Sequence, residues 1–97
     1  MSVKESHEVE GSLKECLREL STALGHKDFH VQGDQITVHD GGGREVVINL
    51  IYEGDRKLGS LDLPMTQVNY EFNGYSEDEA KEFMAHISEH MLRAGGG

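Results

Sequence analysis

Basic side chains are scarce in this chain. Nine Lys and Arg stand against eighteen Asp and Glu, giving a formal charge of −9. With no basic stripe to neutralise phosphates, neither nucleic acid nor an anionic membrane surface is an expected partner. Long apolar runs are also missing, since none exceeds three residues. No membrane-spanning helix is therefore expected, and the start, Met1-Ser2-Val3-Lys4-Glu5, lacks the apolar stretch of a signal peptide. The single cysteine, Cys16, leaves no partner for an internal disulfide and fits a reducing, cytoplasmic setting. Tryptophan is absent, and Phe and Tyr number three each. A chain of 97 residues hides roughly 65% of its unfolded surface on folding, so the core is thin and a large enclosed cofactor is not expected.

What is present reads as one α+β domain over residues 12–94. At Ser12 a capping box begins, with Glu15 three residues later, and Leu13, Cys16, Leu17, Leu20 and Leu24 follow at helical spacing up to Gly25. The same pattern returns at Ser76 and Glu79. There Glu77, Asp78 and Glu79 crowd the first turn, and Ala80, Phe83, Met84, Ile87, Met91 and Ala94 form the apolar stripe. Residues 1–11 show no sustained period and read as a flexible lead-in. Gly95-Gly96-Gly97 reads as a flexible glycine tail.

Between the helices the period becomes two, predicting strands over 28–32, 35–39, 45–53, 56–63 and 66–73. Gly33-Asp34 and Gly54-Asp55 are two-residue turn signals, Asp40 to Arg44 a glycine-rich loop, and Pro64-Met65 a reversal. These turns put Phe29, Val31, Ile36, Val38, Val46, Ile48, Leu50, Leu61, Leu63, Val68, Tyr70 and Phe72 on one face, with Gly59 beneath the Tyr70 ring. The expected fold is a five-stranded antiparallel meander with an N-terminal and a C-terminal helix packed on that face, in the order α-β5-α.

The opposite face is where a function should be sought. One row across it holds Gln32, Gln35, Asn49, Ser60 and Asn69, and the next holds His30, Thr37, Val47, Asp62 and Gln67. Ile51 is expected opposite Leu58, which gathers Val47, Ile51 and Leu58 into an apolar patch. The outward residues of the last strand, Gln67, Asn69, Glu71 and Asn73, include no lysine, so that edge is poorly guarded against pairing with another chain.

Six histidines invite a metal reading. His39 falls opposite Asp28 and Glu45 with His30 diagonally near, and His86 and His90 share one helix face behind Glu82. Surface histidines beside acids, and ordinary helix neighbours, account for both groups without a metal. Cys16 lies on a buried stripe, and there is no serine elbow, P-loop or dinucleotide fingerprint, so no catalytic residue is expected.

The composition and the open face point to a small acidic, non-enzymatic protein-binding module, homodimeric and without cofactor. Val47, Ile51 and Leu58 would be its anchors, with Asn49, Ser60, Gln67 and Asn69 around them. An acidic inhibitor that occupies a basic site on another protein is the alternative from the charge, and a metal-binding protein the alternative from the histidines.

Overall fold

The computed structural model describes the backbone of residues 2–95 and the side chains of residues 3–90. Gly96 and Gly97, the end of the expected glycine tail, lie outside the described residues, as do the side chains of Met91 and Ala94. The elements are β1 (Ser2–Glu10), α1 (Leu13–Leu24), β2 (Asp28–Gln32), β3 (Gln35–His39), β4 (Glu45–Leu58), β5 (Leu61–Asn73) and α2 (Glu77–Gly95). The strands form one sheet in the order β1-β5-β4-β3-β2, with every neighbouring pair antiparallel. The class is α+β, with a five-stranded antiparallel sheet and two helices. The order is not α-β5-α, however, because a strand precedes α1.

Both helices begin where their sequences say. The Ser12 hydroxyl accepts from the Glu15 N–H at 3.2 Å, and the Glu15 carboxylate accepts from the Ser12 N–H at 3.1 Å. Ser76 and Glu79 repeat this exchange at 2.9 and 3.2 Å. At the other end of α1, Gly25 takes φ +58° and donates its N–H to the Ser21 carbonyl. A residue with a Cβ would be strained there, so the glycine ends the helix.

Strands β2, β3 and the first part of β4 keep the expected register. Phe29 faces Val38, Val31 faces Ile36, Val38 faces Val46 and Ile36 faces Ile48. Beyond Tyr52 the chain departs from it. Gly54-Asp55 does not turn; β4 runs on to Leu58 and reverses at Gly59-Ser60, and β5 continues unbroken through Pro64. Three predicted strands are thus two long ones. Gly54, at φ +90°, marks instead a β-bulge, where the pairing with β5 slips by one residue between Tyr52 and Gly54.

The missing fifth strand is β1, formed by residues expected to be a flexible lead-in. It pairs with β5 from Ser2–Asn73 to Glu10–Met65, so the expected unguarded edge of β5 is covered. Pro64 sits one residue past that pairing, where its lack of an N–H deprives no partner strand, and its carbonyl accepts from the Gly11 N–H at 2.8 Å.

Strand continuity decides which face each side chain takes. Along an unbroken β5, Leu61, Leu63, Met65, Gln67 and Asn69 alternate to one side and Thr66, Val68, Tyr70 and Phe72 to the other. Thr66, Val68, Tyr70 and Phe72 are buried, with Ile36, Val38, Val46, Ile48 and Leu50, in a core that includes Cys16, Leu20 and Leu24 of α1 and Ala80, Phe83 and Ile87 of α2. Leu61 and Leu63, expected in the core, therefore face the other way; Leu61 is 61% exposed. Val31, on edge strand β2, is exposed and Phe29 only half-buried. Gly59 lies in the hairpin turn, and Tyr70 faces Ile48 instead. The buried Thr66 hydroxyl donates to the Gly11 carbonyl at 2.8 Å.

Candidate interaction face

The outward-alternating side chains form rows set by the register. Gln32, Gln35, Asn49, Asn69 and Ser6 lie in line across all five strands. Ser60, expected in this row, is in the turn at the far end of β4, and Ser6 of β1 completes the row. The row is stitched by hydrogen bonds: the Ser6 hydroxyl donates to Asn69 Oδ1 at 2.6 Å, and Gln67 Nε2 donates to Ser6 at 3.0 Å. Next to it run Thr37, Val47, Glu71 and Lys4, with the Lys4 ammonium 3.8 Å from Glu71. A depression of about 380 Å³ lies over Lys4, Ser6, Asn49, Asn69 and Glu71.

Past the end of β1 the sheet narrows to two strands, and residues 54–65 project as a hairpin arm. The molecule is accordingly 48 Å long and 25 Å across. The bulge at Tyr52/Gly54 inserts one extra residue into β4, which reverses the alternation beyond it. Leu58 thereby lies on the same side as Ile51 and Val47, facing Leu61 directly across the arm. Leu58 is 57% exposed and Ile51 50%. The expected pairing of Ile51 with Leu58 is not made within the chain. Ile51 faces Gln67, and Leu58 stands seven residues further out, about 23 Å at ~3.3 Å per residue. The three expected anchors form a line along the long axis instead of a cluster, and Leu61, Leu63 and Met65 extend it. Two features hid this line from the sequence: the reversal at Gly59-Ser60, from which alternation along β5 puts Leu61, Leu63 and Met65 outward, and the bulge, without which Leu58 would not share a side with Ile51.

Charges gather at the base of the arm. Arg56 meets Glu8 at 2.7 Å. Glu8 and Glu53 share a hydrogen bond that holds the Glu8 carboxyl below the usual carboxylate range, helped by Arg56, and pushes Glu53 above it. On the opposite side of the arm the Tyr52 hydroxyl donates to Asp55 at 2.5 Å.

The histidine groups are placed as the register implied. His30 and His39 stack with ring centroids 5.7 Å apart, and His39 faces Asp28 and Glu45. His86 and His90 approach to 4.9 Å, but the His86 Nε2 lies 2.9 Å from the Ala23 carbonyl, which ties α2 to the end of α1. Among the described residues, no group of three or more His, Cys, Asp and Glu is arranged to hold a metal ion. Cys16 is buried, and burial pushes its thiol above the ordinary value, away from the reactive thiolate.

One polar centre went unread in the sequence. Asp40, at the start of the glycine loop, accepts from the Tyr75 hydroxyl at 2.7 Å and from Lys27 at 3.3 Å, with Arg44 3.7 Å away. Arg44 also reaches Glu79 at 2.6 Å and lies over the Tyr75 ring, which fastens the loop to the first turn of α2. Partial burial raises the Asp40 carboxyl. The Tyr75 hydroxyl and the two cations together outweigh it and hold the group below its ordinary 3.8. A carboxylate with a depressed folded-state pKa contributes stability above its unfolded value and loses it as pH falls through the folded one. Asp40→Asn should therefore be less stable than the parent at neutral pH, with the gap in urea midpoint closing as pH falls below 3.8. A gap that stayed constant into acid would show that the Asp40 charge is not what the loop uses.

No family model, curated protein or solved structure matches the chain. No helix among the described residues is long and apolar enough to cross a membrane.

Proposed function

We propose that this is a non-enzymatic protein-binding module that presents its outward sheet face and hairpin arm to another protein surface, with a second copy of itself as the first occupant. The observation that carries this reading is Leu58 opposite Leu61, 57% and 61% exposed, near the end of an arm that no other strand among the described residues supports. A two-stranded ribbon is marginally stable in water by itself, and an exposed apolar line along it has no use within the chain. In this reading α1 and α2 lie together against the other face and leave the outward one open. The single buried cluster that joins Leu20, Phe83 and Ile87 to Ile36, Val46 and Val68 supports that arrangement.

The non-enzymatic part is supported by the shifted titratable groups, which answer to structural partners. Glu15 and Glu79 are lowered at helix caps, Asp40 by its loop contacts, and Cys16 is raised by burial. The lone buried Cys16 and the charge of −9 are consistent with a cytoplasmic protein that binds proteins and not nucleic acid.

Sedimentation or light scattering across a wide concentration range tests this. The parent should self-associate, and Leu58→Glu should give a monomer with unchanged circular dichroism. If Leu58→Glu associates like the parent, the arm is not part of the binding surface.

A further inference from the structure

Strand β4 is paired along its β3 side only as far as Asn49, and the Leu50 N–H is taken by the Asp34 carbonyl at 2.9 Å. From Ile51 to Leu58 no strand among the described residues occupies that edge. The sequence of this open stretch, Ile51-Tyr52-Glu53-Gly54-Asp55-Arg56-Lys57-Leu58, complements itself when read backwards. Ile51 matches Leu58, Tyr52 matches Lys57, Glu53 matches Arg56, and the centre falls between Gly54 and Asp55. These are the pairs that a turn at Gly54-Asp55 would have made within one chain, and the straight β4 leaves them unmade.

We infer that two copies of this chain join edge to edge through residues 51–58 of β4, antiparallel about a twofold axis at Asp55, so that each open stretch completes the other. This rests on the protein-binding reading above and names its partner and register.

Facing is a demanding check. Residues directly opposite in an antiparallel pair share a face, and a twofold axis perpendicular to the sheet keeps faces unchanged. In a strand without irregularity, positions 51 and 58 point to opposite sides, and this register would be impossible. The bulge between Tyr52 and Gly54 supplies the one-residue correction. With it, Ile51 and Leu58 both face outward, as do Glu53 and Arg56, while Tyr52 and Lys57 share the other side. Glu53 and Gly54, both outward, together oppose Arg56 as the two residues of the bulge, and Asp55, whose carboxylate holds the Tyr52 hydroxyl, then faces its own symmetry mate.

The flanking Glu53 and Arg56 charges agree with the same register. Glu53 lies against Glu8, an acid-acid contact that pushes its carboxyl up, and Arg56 is the cation nearest them. The dimer brings a second copy's Arg56 across from Glu53, twice by symmetry. Ladder growth stops at Ile51, where the Gly59-Ser60 turn of one copy abuts the Gly33-Asp34 turn of the other.

A charge-reversal series on the whole protein, read by sedimentation equilibrium, tests this. Glu53→Arg and Arg56→Glu should each raise the dimer dissociation constant roughly tenfold or more, since like charges then face across the seam. The double variant should return to within about threefold of the parent, the mark of a direct pair. Mild oxidation of Asp55→Cys should give a covalent dimer. Its symmetry mate lies directly across the seam, at about 4.5–5.5 Å between Cα atoms, within the roughly 4.4–6.8 Å that a disulfide spans. Lys57→Cys, about five residues out of register with its mate, should not cross-link. Association that is lost in Leu58→Glu and Leu61→Glu but indifferent to the charge series would overturn edge pairing and leave the outward-face reading standing. A parent that stays monomeric at all concentrations would overturn edge pairing together with the self-association half of that reading.

Discussion

Phe72→Ala should remove about 3–5 kcal/mol of stability, the usual range for emptying a fully buried phenylalanine site. Phe72 has no exposed surface and sits where the sheet meets the helices. Its ring stacks on Tyr70 at 6.2 Å and takes the edges of Tyr75 and Phe83 at 5.3 and 5.4 Å, so truncation strips partners from three aromatic rings at once. Val46 stands across from it on β4 and Val3 on β1, both too short to collapse into the hole. Domains of this size hold roughly 5–15 kcal/mol in all, so the variant should be partly unfolded at 37 °C or close to it. Urea denaturation gives the number directly: a lower midpoint at unchanged slope. Phe72→Leu, which keeps most of the volume, should cost well under half as much. A Phe72→Ala midpoint within about 1 kcal/mol of the parent would mean that the buried cluster is not one cooperative core.

That core was legible because local and long-range signals agree in it. Ser12 with Glu15 and Ser76 with Glu79 mark helix starts by a reciprocal hydrogen-bond exchange that depends on three-residue spacing alone. Ile36, Val38, Val46 and Ile48 fall into register because Gly33-Asp34 and the glycine loop leave one symmetric way to close. After Ile48 the local signals compete. Gly54-Asp55 and Gly59-Ser60 are equally good two-residue turns, and only the long-range demand for a β5 that reaches both β4 and β1 selects the second. The choice moves Leu61 and Leu63 from the core side to the outward side and carries Leu58 to the end of the arm. Val47, Asn49, Ile51, Gln67 and Asn69 alternate outward under either choice, so their placement was readable. Ser6 and Met65 escape a reading of the sequence because residues 1–11 carry no sustained period and Pro64-Met65 imitates a reversal. Asp40 was missed for a different reason. Its partners Lys27, Arg44 and Tyr75 are distant in sequence or separated by glycines, and no periodicity records a polar contact.

Deleting residues 1–10 should abolish cooperative folding, whereas removal of a true lead-in would leave the melt unchanged. β1 looks expendable in sequence because only Val3 and Val9 are apolar, with Glu5 and His7 at the positions between them that share their face. The structure gives all four a use. Val3 and Val9 pack half-buried against the core, and His7 sets its ring edge-on to Tyr70 at 6.2 Å with Glu5 3.7 Å from its Nε2. Deletion removes those contacts along with Lys4–Glu71, Arg56–Glu8 and the Ser6–Asn69 hydrogen bond. It also strips one side of β5 along nine residue pairs, at roughly 0.5–1.5 kcal/mol net for each hydrogen bond lost. The bared β5 edge would present Gln67, Asn69, Glu71 and Asn73 with no lysine among them, a template for pairing with other chains. The truncated protein should therefore aggregate or give a broad, non-cooperative melt by circular dichroism. Hydrogen exchange on the intact chain supplies an independent readout, because every second amide of β1 bonds to β5 and should exchange slowly while its neighbours exchange fast. A sharp parental melt after deletion, or uniformly fast exchange over residues 2–10, would place β1 outside the cooperative unit and return the unguarded edge to β5.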